Sequence, residues 1–187
     1  VGNLEHWRVQ DVLEKALKLA QYDTFDERRR EAAKRGLRRG LGISCFLEHS
    51  GGVPTEGASV TFNGKEPLTL GLGLHSTGQG HATIFSRLAG ERFGIDPQRV
   101  KVRQGDTALG VAGLASVASR GGQTVSHAVI RVVGRVLEKG KAAAAALLEV
   151  SEGDIACRDG HFEVVGTDRR LSLFEVAERA KELVQRG

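Results

Sequence analysis

Apolar residues recur at helical spacing in two long stretches of the chain. The first stripe predicts an amphipathic helix and consists of Val9, Val12, Leu13, Ala16, Leu17 and Ala20. The clearest stripe lies later in the chain and consists of Val125, Ala128, Val129, Val132, Val133, Val136 and Leu137. The alanine-rich run 142–148 predicts a second helical stretch after it. Two Ser/Thr-x-x-Glu patterns, at Thr24 and at Ser172, predict capping boxes that begin two further helices.

Strand patterns are shorter and are joined by turn residues. Leucines alternate with small residues over 68–74, which predicts a strand with a second face tight against another part of the protein. Residues 58–62 predict a preceding strand, and the Asn63-Gly64 pair between it and 68–74 predicts the turn of a hairpin.

A second hairpin is predicted over 155–165, with its turn at Asp159-Gly160. Residues 41–47 predict a short buried strand, and 100–102 predict another. A helix is predicted to follow residue 83 and to end near Gly94. Because helices and hairpins mix without regular β-α-β alternation, the sequence predicts an α+β fold.

The segment Ser76–Thr83 lies between a predicted strand and a predicted helix and contains Gly78 and Gly80. Glycines let a ligand approach the backbone, and a helix N-terminus presents free N–H groups to an anion. Gln79 can donate and accept hydrogen bonds. An anion site and a plain structural turn both remain open for this segment. His81 has no partner at metal-ligand spacing, which favours hydrogen bonding over metal binding.

A second helix start carries hydroxyls and a guanidinium, from Ser116, Ser119 and Arg120. Such a helix start also suits a phosphate. If the two helix starts converge, they form a cofactor cradle, but sequence alone does not show that they do. Asp106 is open to two interpretations, a catalytic base or a turn carboxylate that caps N–H groups, and the second is favoured.

Composition narrows the functional classes. The 187 residues carry a net charge of +4, and much of the excess comes from Arg28, Arg29, Arg30, Lys34, Arg35, Arg38 and Arg39. This basic run predicts a solvated helix face or a docking surface, because aromatic residues make up only 5% of the chain and no nucleic-acid-reading motif occurs. Cys45 and Cys157 form no CxxC pattern, which argues against an iron–sulfur or zinc site and for reduced thiols in the cytoplasm. No apolar run is long enough for a membrane span. Since the chain begins at Val1, we expect it to be a piece of a longer protein or a split subunit.

Five segments occur in a characteristic order: Gly40–Glu48, Ser76–Thr83, Phe93–Pro97, Gly105–Thr107 and Ala118–Arg120. In this order they resemble the molybdenum-binding large subunit of the xanthine dehydrogenase / aldehyde oxidoreductase family, nearest to the carbon-monoxide-dehydrogenase type. The resemblance covers nearly the whole chain. It implies one cofactor-binding domain over 1–187, with a helical lead-in at 1–40, a core at 41–150 and a hairpin and helix at 151–187.

The resemblance also implies a molybdopterin cofactor with molybdenum, in the cytosine dinucleotide form usual in bacteria. Carried over by position, its ligands are Gly78, Gln79, Gly80, His81, Thr83, Ser116, Ser119 and Arg120. The chain departs from the family at Ala115-Ser116, where a Gly-Thr pair is common.

No segment matches the family's catalytic GxGE-type glutamate or its GGxFG-type segment. We therefore expect this chain to supply no catalytic residue and to be inactive alone. It would be the cofactor-binding part of a molybdenum hydroxylase acting on an aldehyde, an N-heterocycle or a CO-like substrate, with oxygen from water. Iron–sulfur clusters and FAD are expected on other domains or subunits, which would be its partners. The alternative is a non-catalytic assembly module that docks through 28–39.

Overall fold

The computed structural model describes residues 8–46, 48–51, 55–64 and 67–186. These residues fall into two compact units, divided between Leu47 and Glu48. None of the helices in these ranges combines the length and the apolar character needed to cross a bilayer.

The described residues of the first unit form the α-helices α1 (Val9–Leu19) and α2 (Phe25–Lys34). The turn between them is fixed by Arg28, whose Nη2 donates to the carbonyl oxygens of Ala20 and Gln21 at 2.8 and 2.7 Å. Helix α2 begins where the sequence predicts, but the capping box there is wrong. The Thr24 hydroxyl donates back to the Gln21 carbonyl at 3.1 Å and caps no N–H group of the helix.

The buried strand predicted over 41–47 is also wrong. Residues 41–46 adopt no regular structure, and Leu41, Ile43 and Phe46 are 43, 53 and 82% exposed. Leu47 lies outside the described residues. A strand is stable only when a neighbour accepts and donates its backbone hydrogen bonds. No strand in the described ranges pairs with this segment.

The second unit begins with a three-stranded sheet, in the order β1 (Ala58–Thr61), β2 (Leu68–Leu72), β3 (Val100–Gln104). Strands β1 and β2 are antiparallel, which confirms the first hairpin, and β2 and β3 are parallel with helix α3 (His81–Phe93) between them. Both faces of β2 are buried. Just beyond β2, a Cβ on Gly73 would lie 2.5 Å from the Ala112 carbonyl oxygen, so the predicted tight packing on the second face is confirmed.

Helix α4 (Ser126–Leu148) is one continuous helix of 23 residues, where the sequence predicts two stretches. The helix continues through Gly140, and this glycine makes room for a neighbouring side chain. A Cβ there would lie 2.4 Å from Cζ of the fully buried Phe162. A π-helical turn, Gly121–Val125, leads into α4.

The chain ends in a second sheet, antiparallel, of β4 (Ile155–Arg158), β5 (His161–Val164) and β6 (Arg170–Ser172), followed by α5 (Leu173–Arg186). The turn at Asp159-Gly160 is as predicted, whereas β6 is not predicted by the pattern. The capping box of α5 forms in full: the Glu175 N–H donates to Ser172 Oγ at 3.2 Å, and the Ser172 N–H donates to Glu175 Oε2 at 2.7 Å. The fold is thus α+β, with α4 packed against both sheets.

Candidate functional site

The turn before α3 has the backbone that its glycines predict. Gly78 and Gly80 have φ of +105° and +75°, a region that glycine enters without strain. A Cβ at either position would meet no atom within 4 Å. These glycines are therefore required by the turn's conformation and not by packing, and the space beside them is open.

Gln79 organises this turn through its side-chain oxygen. Oε1 accepts from the Thr77 N–H at 2.5 Å and from the Ser76 hydroxyl at 3.2 Å. The side chain thus satisfies backbone groups, which is the structural interpretation of this amide. Its Nε2 is the remaining donor, on a side chain that faces the cavity described below.

The loop before α4 is strained. Ala118 and Ser119 have φ of +50° and +52°, which non-glycine residues adopt only when their surroundings impose it. Two hydrogen bonds hold the loop from outside: the Ser116 hydroxyl donates to the His75 carbonyl at 2.5 Å, and the Gly51 N–H donates to the Ala118 carbonyl at 2.8 Å. The π-helical turn follows at once, a feature often found at functional sites.

These two segments converge on one cavity of about 320 Å³. Its lining residues are Gln79, His81, Ser116, Val117, Ala118, Ser119, Arg120, Gly121 and Gly122. Five of the eight predicted ligands, Gln79, His81, Ser116, Ser119 and Arg120, are thus brought together. Gly78 and Gly80 flank Gln79 in the chain. Thr83 is not among the lining residues and lies on a separate depression beside Arg87 and Val102.

His81 lies in the wall of the cavity as a neutral ring. It is 5% exposed and packs on Phe85 with ring centroids 5.4 Å apart. Burial lowers the pKa of His81, and the neighbouring His75 lowers it further. Its Nδ1 is buried and has no hydrogen-bond partner in the structure. A neutral imidazole offers one donor and one acceptor, so His81 can bind a polar group brought into the cavity.

The Arg120 guanidinium is paired inside the protein and is not directed at a phosphate in the cavity, the role that the sequence suggests for it. The guanidinium is 1% exposed, with Nη1 2.7 Å from Glu56 Oε2, and Nη2 donates to the Thr55 carbonyl at 2.7 Å. Arg120 therefore lines the cavity while its charge pairs with Glu56 inside the protein. No sequence pattern marks Glu56, because the pair joins positions 64 residues apart.

Asp106 is a capping residue, as favoured from the sequence. It accepts from the Ala108 N–H at 2.9 Å and pairs with Arg103. Within the described ranges, no group of three His, Cys, Asp or Glu side chains is placed to hold a metal ion.

The cavity suits a phosphate-bearing ligand. Its lining contains hydroxyls, an amide and an imidazole but no carboxylate. The first N–H groups of two helical segments, at 81 and at 121, have no partner within their own helices. Gly122, like Gly78 and Gly80, leaves open space where a Cβ would stand. Hydrogen-bond donors in the wall of the cavity suit an anionic group, and the open space beside the three glycines can accommodate the larger molecule that carries it.

Comparisons with known proteins identify related chains. The family model described as "Molybdopterin cofactor-binding domain" matches residues 15–187. The nicotine 6-hydroxylase large subunit of Paenarthrobacter nicotinovorans is 32% identical over 180 residues, which covers 89% of this chain and 22% of the relative. The carbon monoxide dehydrogenase large chain of Afipia carboxidovorans is 28% identical over 161 residues, or 79% of this chain and 20% of the relative.

Solved structures show the same fold. CO dehydrogenase from Oligotropha carboxidovorans superposes with a TM-score of 0.66 at 26% identity, over 89% of this chain and 23% of that one. Quinoline 2-oxidoreductase from Pseudomonas putida 86 gives 0.61 at 26% identity, over 91% of this chain and 23% of that one. The chain thus spans about a fifth to a quarter of the proteins that it matches.

Proposed function

This chain belongs to the molybdopterin cofactor-binding domain family, and on that premise we propose that the cavity between the two helix starts holds the phosphate-bearing part of the cofactor. The relatives are molybdenum-dependent oxidoreductases, and the structural neighbours include one named as a Cu,Mo enzyme. The family thus consists of oxidoreductases, and this chain corresponds to a cofactor-binding domain of such an enzyme.

The observation that carries the proposal is convergence. Segments 76–81 and 116–122 are separated in the chain by helix α3, strand β3 and a loop, yet both line one cavity. Each ends in a helix start with free N–H groups, and such groups attract an anion through both hydrogen bonds and the helix dipole. Two such ends on one cavity favour a charged phosphate over a neutral ligand.

In this proposal each lining residue has a distinct task. Gly78, Gly80 and Gly122 leave room for the cofactor to approach the backbone. Gln79 Nε2 and the Ser119 hydroxyl donate to phosphate oxygens, and neutral His81 binds a polar group without adding charge. When bound, the molybdenum cofactor supplies the oxidation–reduction chemistry, while the protein binds and orients it.

The finer assignment rests on the resemblance seen in the sequence and on the names of the relatives. The bound form is molybdopterin cytosine dinucleotide, and Thr83 and the Arg120 side chain lie outside its direct contacts. The parent protein hydroxylates an aldehyde, an N-heterocycle or a CO-like substrate in the cytoplasm. Iron–sulfur clusters and FAD reside on other domains or subunits. One relative is named as a subunit of a dehydrogenase complex. This chain alone binds the cofactor without turnover.

The test measures binding of molybdopterin cytosine dinucleotide to the 187-residue chain by equilibrium dialysis with pterin fluorescence. Gln79→Glu keeps an oxygen for the Thr77 N–H but replaces the Nε2 donor with a charged oxygen. Losing one hydrogen bond to a charged group lowers affinity by about tenfold or more. Gln98→Glu makes the same change at an exposed site outside the cavity and should bind like the wild type. Equal affinity of Gln79→Glu and wild type would contradict the assigned donor, and no binding by wild type would refute the function.

A second candidate, a subunit-assembly module, is favoured by the first unit. Val9, Val12 and Leu19 of α1 are 55, 67 and 85% exposed, and the basic run 28–39 follows. Charge reversal at Arg35, Arg38 and Arg39 distinguishes the candidates. The assembly module is favoured if the wild-type chain binds no dinucleotide and the charge-reversal variant loses binding to iron–sulfur or flavin subunits.

A further inference from the structure

Glu56 forms a buried ion pair behind the wall of the cavity. Its side chain and that of Arg120 are each 1% exposed, and Glu56 Oε2 lies 2.7 Å from Arg120 Nη1. The second guanidinium nitrogen, Nη2, donates to the carbonyl of Thr55, the neighbour of Glu56. Segment 55–56 therefore engages Arg120 through two separate contacts.

Segment 55–57 leads directly into the first sheet and is held by the loop at 112–113. The Gly57 N–H donates to the Ala112 carbonyl at 2.8 Å, and β1 begins at the next residue. Gly113 packs directly on the Glu56 carboxylate, since a Cβ there would lie 2.1 Å from Oε1. The carboxylate is thus held in place by backbone hydrogen bonding and close packing, as positioning of another group requires.

The group that it positions is the strained part of the cavity wall. Arg120 directly follows Ala118 and Ser119, the two non-glycine residues with positive φ. Such conformations persist only where neighbouring contacts impose them. The Gly51 N–H holds the loop at Ala118, and the Arg120 side chain holds it from the opposite end. Without Glu56, the guanidinium would be a buried charge without its carboxylate, and the local backbone would shift to bring it to water or to the ligand.

We propose that Glu56 is a positioning residue for cofactor binding, which acts through Arg120 to hold residues 118–122 in the conformation that receives the phosphate. This inference rests on the proposed function. It assigns to Arg120 an indirect role, because its two terminal nitrogens are turned towards Glu56 and Thr55. It adds Glu56 to the site although Glu56 does not line the cavity.

The test compares Glu56→Gln with wild type in three measurements: affinity for molybdopterin cytosine dinucleotide, amide hydrogen exchange at 118–122, and thermal unfolding. We expect about tenfold weaker binding, as for loss of an outer-shell partner at a metal site. Exchange at 118–122 should accelerate, while exchange in the β4–β6 sheet stays unchanged. Glu163→Gln, which removes the Arg158–Glu163 pair at the surface of that sheet, is the matched control and should leave affinity unchanged.

A double variant tests whether the effect passes through Arg120. Because both substitutions break the same ion pair, Glu56→Gln with Arg120→Gln should lose no more affinity than the weaker-binding of the two single variants. If the losses of the two single variants simply add, Glu56 does not act through Arg120. Should Glu56→Gln fail to fold, Glu56→Asp keeps the charge and shortens the side chain by one methylene. The Glu56→Asp variant should then bind more weakly than wild type, but by less than about tenfold. An affinity equal to that of wild type would overturn the inference.

The two proposals fail in different ways. A wild-type chain that binds no dinucleotide refutes the proposed function. A wild-type chain that binds, together with a folded Glu56→Gln variant of equal affinity and equal exchange at 118–122, refutes the positioning role alone.

Discussion

Two glycines on one helix allow a sharp test of the packing around α4. Gly134 and Gly140 both lie in the interior of α4. A Cβ on Gly134 would meet no atom within 4 Å, whereas a Cβ on Gly140 would lie 2.4 Å from Cζ and 3.0 Å from Cε2 of Phe162. The same substitution, glycine to alanine, should therefore stabilise the protein at Gly134 but not at Gly140.

The magnitudes follow from two competing effects. Alanine stabilises a helix interior relative to glycine by about 1 kcal/mol, and Gly134→Ala should gain most of that. At Gly140 the contact falls roughly 1 Å short of an ordinary carbon–carbon separation. Phe162 is 0% exposed and cannot swing into solvent, so the core must shift at a cost of about 1–3 kcal/mol. Gly140→Ala should thus range from neutral to about 2 kcal/mol destabilising.

The assay is urea unfolding of both variants and wild type, with melting temperatures as a second measure. A difference of 1 kcal/mol corresponds to about 2–4 °C in a protein of this size. In a Phe162→Leu background the ring is gone, and Gly140→Ala should become stabilising, like Gly134→Ala. Equal stabilisation by the two alanines in the wild-type background would refute the close contact between α4 and Phe162.

Two further predictions concern pH. Hydrogen bonds from the Ser172 side chain and backbone lower the pKa of Glu175 in the folded protein. The ionised Glu175 therefore stabilises the fold fully above its unfolded-state pKa of 4.5, and this stabilisation is lost as pH falls through the lowered folded-state pKa. Ser172→Ala should cost about 1 kcal/mol at pH 7 and less at pH 3 by urea unfolding, and an equal cost at both pH values would contradict the capping box. Burial, and secondarily His75, lowers the pKa of His81, so wild type should lose stability as pH falls from 6.5 through the lowered folded pKa. His81→Gln should remove that part of the pH dependence, and identical pH profiles of the two proteins would show that His81 is not buried as a neutral ring.

Local patterns predicted most of the elements correctly. The Ser172 and Glu175 pair forms its capping box, because both partners lie within one helical turn. The similar Thr24 pattern fails, because the Thr24 hydroxyl finds the nearby Gln21 carbonyl instead. A strand over 41–46 is absent for a different reason, since strand patterns are completed only by a partner that the local sequence does not contain.

The site was predictable only in part. Gly78, Gly80 and the hydroxyls before α4 could be found from the sequence, because turn glycines and helix starts are local features. Thr83 shared the same motif but lies on a different surface, because the first turn of a helix directs successive side chains to different sides. Glu56 could not be found, because its role depends on a partner far along the chain.

By itself, then, the sequence determined the helices, the hairpins, the glycine turn and the resemblance to a molybdenum enzyme family, all of which are local or ordered along the chain. Tertiary structure decided which of those elements meet. It joined the two helix starts into one cavity, turned the Arg120 charge inward to Glu56, and merged two helical stretches into one around Phe162. The physical reason is range: hydrogen bonds within a turn are set by neighbouring residues, whereas burial, ion pairing and close packing depend on residues that only the folded chain brings together.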